Sequence, residues 1–227
     1  MVSFTEAQDV QNITEFDSIW TGYKGRMASP DPLTGKTLGK PRSREILRGH
    51  HRRVVNLAHD VAIAKEFGYT VKVSMHIFEM YPPCTTWATN LLRTYLPDLL
   101  INDHNEGRYV LVRTVTCAVT LGAMLTIVED EKGNWEQLAI NCYDHLHSGE
   151  DFLPKGSILM IRHPYFKHTP NSAFFIVVDH ITDLTIVLPM SAIIPKEWAP
   201  PSKTAEEWYD EGCAHLLDGK YYRAVHW

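Results

Sequence analysis

The segment 108–189 constrains the fold most, because short runs of β-branched and aromatic residues recur in it at regular intervals. Each run is bounded by Gly, Asp, Asn or Pro, which is the pattern of a β-strand followed by a turn. The runs are 109–115, 121–128, 135–140, 157–162, 174–178 and 184–188. The sequence therefore predicts a small structure built mainly from β-strands.

The connections between the runs favour one arrangement of these strands. Gly133 can adopt the positive φ of a hairpin between the second and third runs. The gap 144–156 between the third and fourth runs has room for one helical turn and a return loop. A five-stranded, partly open barrel with its helix in that position is the plan of an OB-fold. The expected class is α+β, a small OB-like antiparallel β-barrel with N-terminal helices; a plain antiparallel sandwich is the alternative.

Composition and charge exclude several classes of protein. The chain has 227 residues, 44% of them hydrophobic, and a net charge of −5, so it can form a core and has no overall attraction for nucleic acid or anionic lipid. It has no apolar run of membrane-spanning length and no signal-peptide pattern, which predicts an intracellular protein, cytoplasmic or nuclear. The cysteines lack a C-x-x-C pair, which favours reduced thiols, and no cofactor is predicted.

Residues before the strand runs divide into two parts. Segment 1–42 reads as an N-terminal extension and linker, and 43–106 as a helical and strand segment that packs on the barrel. From Ser43 to Gly68 the apolar residues fall mostly on one helical stripe, with basic residues off it. The basic residues are Arg44, Arg48, His51, Arg52 and Arg53. They form either a solvated helix face or a face that contacts phosphate.

Two polar clusters have ligand-type side chains without the spacing of a metal site. They are Asp103, His104 and Glu106, and further along Cys142, His145 and His147. A tetrahedral zinc site needs a second pair of ligands, which neither cluster supplies. Polar turns are the expected role of both clusters. A metal-dependent site in the His-rich segment 145–180 is a weaker hypothesis.

The end of the chain has the most specific local pattern. After the predicted barrel, 107–194, comes a Pro-rich linker, 195–203, and then a segment, 204–227, that matches the start of a tetratricopeptide (TPR) repeat. Its repeat-like residues are Trp208, Gly212, Gly219, Tyr221 and Ala224. Thr204 would cap the first helix of a partial TPR helical hairpin. A lone partial repeat cannot bury its apolar face, so either the natural protein continues past Trp227 or the tail docks elsewhere. An unrelated amphipathic helix pair is the alternative.

The order of these parts resembles the N-terminal region of fungal-type proteins in which a β-rich segment precedes TPR repeats and a SET domain. The segments that carry the resemblance are 107–116, 127–131, 153–159, 163–167, 178–180 with Asp183, and the repeat start. SET domains transfer a methyl group from S-adenosylmethionine to protein lysines. The resemblance implies no catalytic residue in this chain, because the residues that would bind the cofactor or the lysine lie outside it.

Two functional hypotheses follow. The first is a non-catalytic interaction module, in which TPR helices bind a protein or peptide and the barrel presents a ligand face, with nucleic acid as a less supported ligand. The candidate ligand-binding residues are Tyr109, Arg113, Trp135, Arg162, Tyr165 and Phe166. The alternative is the N-terminal accessory region of a SET-type protein-lysine methyltransferase whose catalytic domain is not in this chain.

Overall fold

A computed structural model describes residues 31–68, 82–141, 152–169, 172–188, 191–199 and 204–217. The described α-helices are α1 (Arg44–Glu66) and α2 (Ala205–Leu217). The strands are β1 (Leu92–Thr94), β2 (Asp103–His104), β3 (Arg108–Thr114), β4 (Val119–Leu121), β5 (Ala123–Asp130), β6 (Trp135–Ile140), β7 (Ile158–Arg162), β8 (Tyr165–His168), β9 (Phe174–Val178) and β10 (Leu184–Ile186). Neither described helix has the length and hydrophobicity needed to cross a membrane.

All ten described strands belong to one mixed sheet. Its order is β10-β7-β3-β5-β6-β9-β8-β2, with β1 paired to β3 and β4 paired to β5. Most neighbours are antiparallel, but β6 runs parallel to β9 and β1 runs parallel to β3. Within the described chain the two ends of this path, β10 and β2, do not pair, so the sheet is not closed.

The prediction of an OB-like antiparallel barrel is therefore wrong. Each of the six apolar runs does contain a strand, but the strands do not pair in the order that a closed barrel requires. The third run, β6, pairs in parallel with the fifth, β9, and the sixth, β10, returns to pair with β7. The spacing of apolar runs reports where strands occur and does not report which strands pair.

The prediction of a TPR hairpin is also wrong. α2 begins as expected: the Glu207 N–H donates to Thr204 Oγ1 (3.2 Å) and the Thr204 N–H donates to Glu207 Oε2 (2.7 Å), which is a capping box. Trp208 and Gly212 lie on α2, which has no buried side chain. Gly219, Tyr221 and Ala224 lie outside the described residues. With no buried side chain on α2, the described residues do not form the apolar helix–helix interface of a repeat.

The main core lies on one face of the sheet. Alternation along the strands places Val110, Val112, Leu159 and Ile161 on this face, together with the fully buried Phe166. The segment 31–42 packs against the same core through Leu33 and Leu38. The Gly35 N–H donates to the Ile101 carbonyl (2.8 Å), and the Ile101 N–H donates to the Lys36 carbonyl (2.9 Å). These residues are thus part of the folded structure.

The opposite face of the sheet is covered in two places. Leu111, Ile158, Met160 and Val187 form a small buried cluster, against which Trp198 packs. A second cluster joins α1 to the sheet, because Leu47 is fully buried between Ile127 and Trp135. Leu47 is the buried residue of α1, so its contact determines where the helix rests.

Candidate functional site

Five of the six candidate ligand-binding residues lie on the same face of the sheet. Tyr109 pairs with Arg162, and Arg113 pairs with Glu129, which in turn pairs with Trp135. Paired residues share a face of a sheet. β6 pairs with β9 and β9 pairs with β8, and this register places Tyr165 on the same face as Trp135. Phe166, the sixth residue, faces the main core and stacks on Phe174 (centroids 5.7 Å apart). The face opposite the main core is called here the outer face.

A row of hydrogen-bonded polar residues crosses the centre of the outer face. The Arg113 guanidinium donates through Nε (3.1 Å) and Nη2 (2.5 Å) to Glu129 Oε1, and Trp135 Nε1 donates to Glu129 Oε2 (3.1 Å). The Arg113 guanidinium also lies 5.2 Å from the centre of the Trp198 ring. Both carboxylate oxygens of Glu129 are therefore occupied by donors from the same protein, which fixes the orientation of Arg113 and Trp135.

Two arginines of α1 cover the ring of Trp135. The guanidinium carbons of Arg44 and Arg48 lie 4.9 Å and 4.8 Å from the ring centre, and Arg44 Nη2 donates to the Gly133 carbonyl (2.7 Å). Trp135 is consequently 5% exposed. Its ring packs against the protein's own cations, which is a cation–π arrangement.

A second polar group, the β8 edge cluster, consists of His104, Asn141, Tyr165, Lys167 and Asp179. His104 stacks on Tyr165 with ring centres 4.4 Å apart, as their pairing between β2 and β8 requires. Asn141 and Asp179 follow the parallel strands β6 and β9, whose ends lie side by side. Asn141 Nδ2 donates to Asp179 Oδ1 at 2.5 Å. The sheet thereby brings together residues from four strand ends.

Burial controls the charges of the β8 edge cluster. It lowers the pKa of Lys167 to about 8, although the carboxylate of Asp179 acts in the opposite direction. Burial, together with the charges of Asp179 and Asp103, raises the pKa of Tyr165, and burial lowers the pKa of His104. At neutral pH the cluster therefore combines a lysine close to its titration range, a neutral phenol and a neutral imidazole. Such a set can donate and accept hydrogen bonds to a polar ligand.

The cluster of Asp103, His104 and Glu106, for which the sequence predicts a polar turn, lies in a short strand and the turn after it. Asp103 and His104 form β2, and the Glu106 N–H donates to the His104 carbonyl (2.7 Å) in the turn that follows. In the part of the chain that the structure describes, no three His, Cys, Asp or Glu side chains are placed to hold a metal ion. Cys142, His145 and His147 lie outside the described residues.

Comparison with known proteins gives one distant relative. Over 126 residues the chain is 28% identical to a protein from Gibberella zeae named as a methyltransferase. The match covers 53% of this chain. The chain spans only 17% of the length of that relative. No family model matches the chain. The resemblance to proteins with a SET domain stays a prediction.

Sequence reasoning missed the most buried ion pair of the described chain. Arg42 Nη1 donates to Glu136 Oε1 (2.7 Å) and to the Phe174 carbonyl (3.4 Å), and the guanidinium lies over the Phe174 ring. Burial raises the pKa of Glu136 to about 7, although the charge of Arg42 opposes this shift. The position of Glu136 in β6 was a signal for this ion pair, because a carboxylate within a strand that is buried along its whole length requires a cationic partner.

Proposed function

We propose that this chain is a non-catalytic accessory region of a methyltransferase, and specifically of a SET-type protein-lysine methyltransferase whose catalytic domain lies outside these residues. The observation that carries the proposal is the similarity to a protein named as a methyltransferase. The matched part makes up 17% of that protein, so most of the length of the relative lies outside the match.

The arrangement of the polar residues supports a positioning role for the region. On the outer face, Arg113, Glu129 and Trp135 satisfy one another, and Arg44 and Arg48 cover the Trp135 ring. A rigid sheet with preorganised charged groups is suited to positioning a partner or a neighbouring domain. Catalysis would then depend on a domain outside this sequence.

The test compares the 227-residue chain with the natural gene product. The length of the native message beyond Trp227 and the intact mass of the endogenous protein establish whether a longer product exists. Methyl transfer from radiolabelled S-adenosylmethionine to protein lysines is then measured for both. We expect transfer by the longer product and none by the 227-residue chain. An authentic stop after Trp227, or methyl transfer by the 227-residue chain itself, would overturn the proposal.

A further inference from the structure

The first three turns of α1 concentrate positive charge in a chain that is acidic as a whole. From Arg44 to Arg53 there are four arginines and one glutamate, a net charge of +3, whereas the whole chain carries −5. Arg44, Arg48 and Arg52 follow one another at a spacing of four residues, which places them on one side of the helix about 6 Å apart. All three are exposed.

Two of these arginines, Arg44 and Arg48, are held in place, and Arg48 and Arg52 have no carboxylate partner among the described residues. Arg44 and Arg48 lie against the Trp135 ring, which limits the conformations that their side chains can adopt. Within the described residues, neither Arg48 nor Arg52 forms an ion pair. The nearby His50 responds to this charge: burial and then the charges of Arg53 and Arg42 lower its pKa. Positive potential therefore remains at the surface of the helix.

Exposed aliphatic side chains continue the same side of α1. Val55 follows Arg52 by three residues and is 39% exposed, and Ile63 lies two turns further and is 38% exposed. The α1 arginine face is defined here as Arg44, Arg48, Arg52, Val55 and Ile63. It combines oriented cations with apolar surface that is accessible to solvent.

We propose that the α1 arginine face binds an acidic segment of a protein partner that carries Asp or Glu side chains next to aliphatic ones. An arginine fork binds a carboxylate through two parallel hydrogen bonds, and a spacing of about 6 Å matches carboxylates on successive turns of a helix. The adjoining Val55 and Ile63 fit the apolar side chains of such a segment.

A nucleic acid fits this face less well. Interfaces with nucleic acid are more polar and more positively charged than those with protein, whereas two of the five residues that define this face are aliphatic. The net charge of −5 also repels a polyanion at long range, while a short peptide carries fewer charges. The proposal does not depend on the relationship to methyltransferases.

The test measures binding of a fluorescein-labelled peptide to the intact chain by fluorescence anisotropy. The peptide is a synthetic amphipathic helix with glutamates at i and i+4 on one face and leucines beside them. We expect binding that weakens with added salt, and a loss of affinity of about tenfold or more in Arg48→Ala with Arg52→Ala, because charge-assisted hydrogen bonds are lost.

Controls separate local contacts from total charge and from folding. Lys155→Ala with Lys196→Ala removes the same charge from exposed positions away from α1 and should leave the affinity within about twofold. Arg52→Ala alone keeps the contact of Arg48 with Trp135. This single variant should still bind the peptide more weakly, so it tests the proposal even if the double variant unfolds. An equal loss of affinity in the lysine control would overturn the proposal.

Three further results would also overturn it. The first is no binding of the peptide at all. The second is tighter binding of a labelled single-stranded oligonucleotide of equal charge, which would make the face a nucleic-acid surface. The third is peptide binding that appears only after deletion of residues 1–20, which contain Glu6, Asp9, Glu15 and Asp17 and no Lys or Arg. The occupant of the face would then be the chain's own N-terminal segment.

Discussion

Arg42 and Glu136 are 94 positions apart in the sequence and form an ion pair of 2.7 Å in which the carboxylate side chain is 2% exposed. Arg42 ends the segment 31–42 that packs on the main core, and Glu136 lies in β6. At the other end of that segment, Asp31 pairs with His168 of β8 at 2.5 Å. Two contacts between polar side chains therefore attach this segment to the sheet.

The stability of the protein should depend on the titration of Glu136. Burial raises its pKa from 4.5 to about 7, so the folded protein binds more protons than the unfolded chain between these values. The stabilisation is present below about pH 4.5 and is lost as the pH rises through about 7, for a total of about 3 kcal/mol. In the Glu136→Gln variant this pH-dependent loss of stability should be absent. Urea unfolding of the wild type and the variant at about pH 5 and about pH 8 measures the change in the free energy of unfolding.

The difference between wild type and variant isolates Glu136 from the other titrating groups. Between these two pH values, the free energy of unfolding of the wild type should fall further than that of the Glu136→Gln variant. An equal change in the two proteins would show that the carboxylate titrates normally.

Asp130 should be among the most sensitive positions in the protein. Its carboxylate accepts hydrogen bonds from the N–H groups of Leu96 (3.1 Å), Lys132 (3.0 Å) and Asn134 (2.9 Å), and from the Asn134 amide (2.9 Å). Asp130→Ala leaves these donors without an acceptor, so we expect a loss of about 3 kcal/mol in the free energy of unfolding. Asp98→Ala, at an exposed position, should change it by less than about 0.5 kcal/mol. Similar losses in both variants would contradict this role.

The sequence was informative about individual elements. The six apolar runs all contain strands, the helical stripe that starts after Ser43 is α1, and Thr204 caps α2. These features depend on residues close together in the chain, because periodicity and capping are local. The strands that were missed are short or polar. β8 has the sequence Tyr-Phe-Lys-His, in which only Phe166 faces the core, so no apolar run marks it.

The topology and the polar contacts depend on pairing between distant segments. The parallel pairing of β6 with β9 places Asn141 beside Asp179, and no local pattern reports that neighbour. The same applies to Trp135. Its aromatic ring suggested a ligand contact, but residues from α1 and β5 cover the ring and bind its N–H. Alternation along each strand was sufficient to group five candidates on one face, once the register was known.

Leu47 should determine the attachment of α1. Its side chain is 0% exposed and packs between Ile127 and Trp135. Leu47→Ala should lower the free energy of unfolding by about 2–5 kcal/mol, as expected for a buried leucine. Leu57→Ala is the matched control, because Leu57 lies on the same helix and is 52% exposed. Chemical denaturation compares the two, and a larger loss in the Leu57 variant would contradict the packing described here.

Lys167 should titrate well below an ordinary lysine, because burial lowers its pKa to about 8 and Asp179 only partly opposes the shift. Competitive acetylation followed by mass spectrometry gives the pH profile of each amine, and the profile of Lys167 should have its midpoint near pH 8. Asp179→Asn should move this midpoint to lower pH, since it removes the negative charge that stabilises the ammonium form. Asn141→Ala removes a hydrogen bond to Asp179 (2.5 Å) but keeps the carboxylate. If charge is the cause, this control should leave the midpoint at or above the wild-type value. A midpoint that rises in Asp179→Asn would show that the carboxylate does not act on Lys167 in this way.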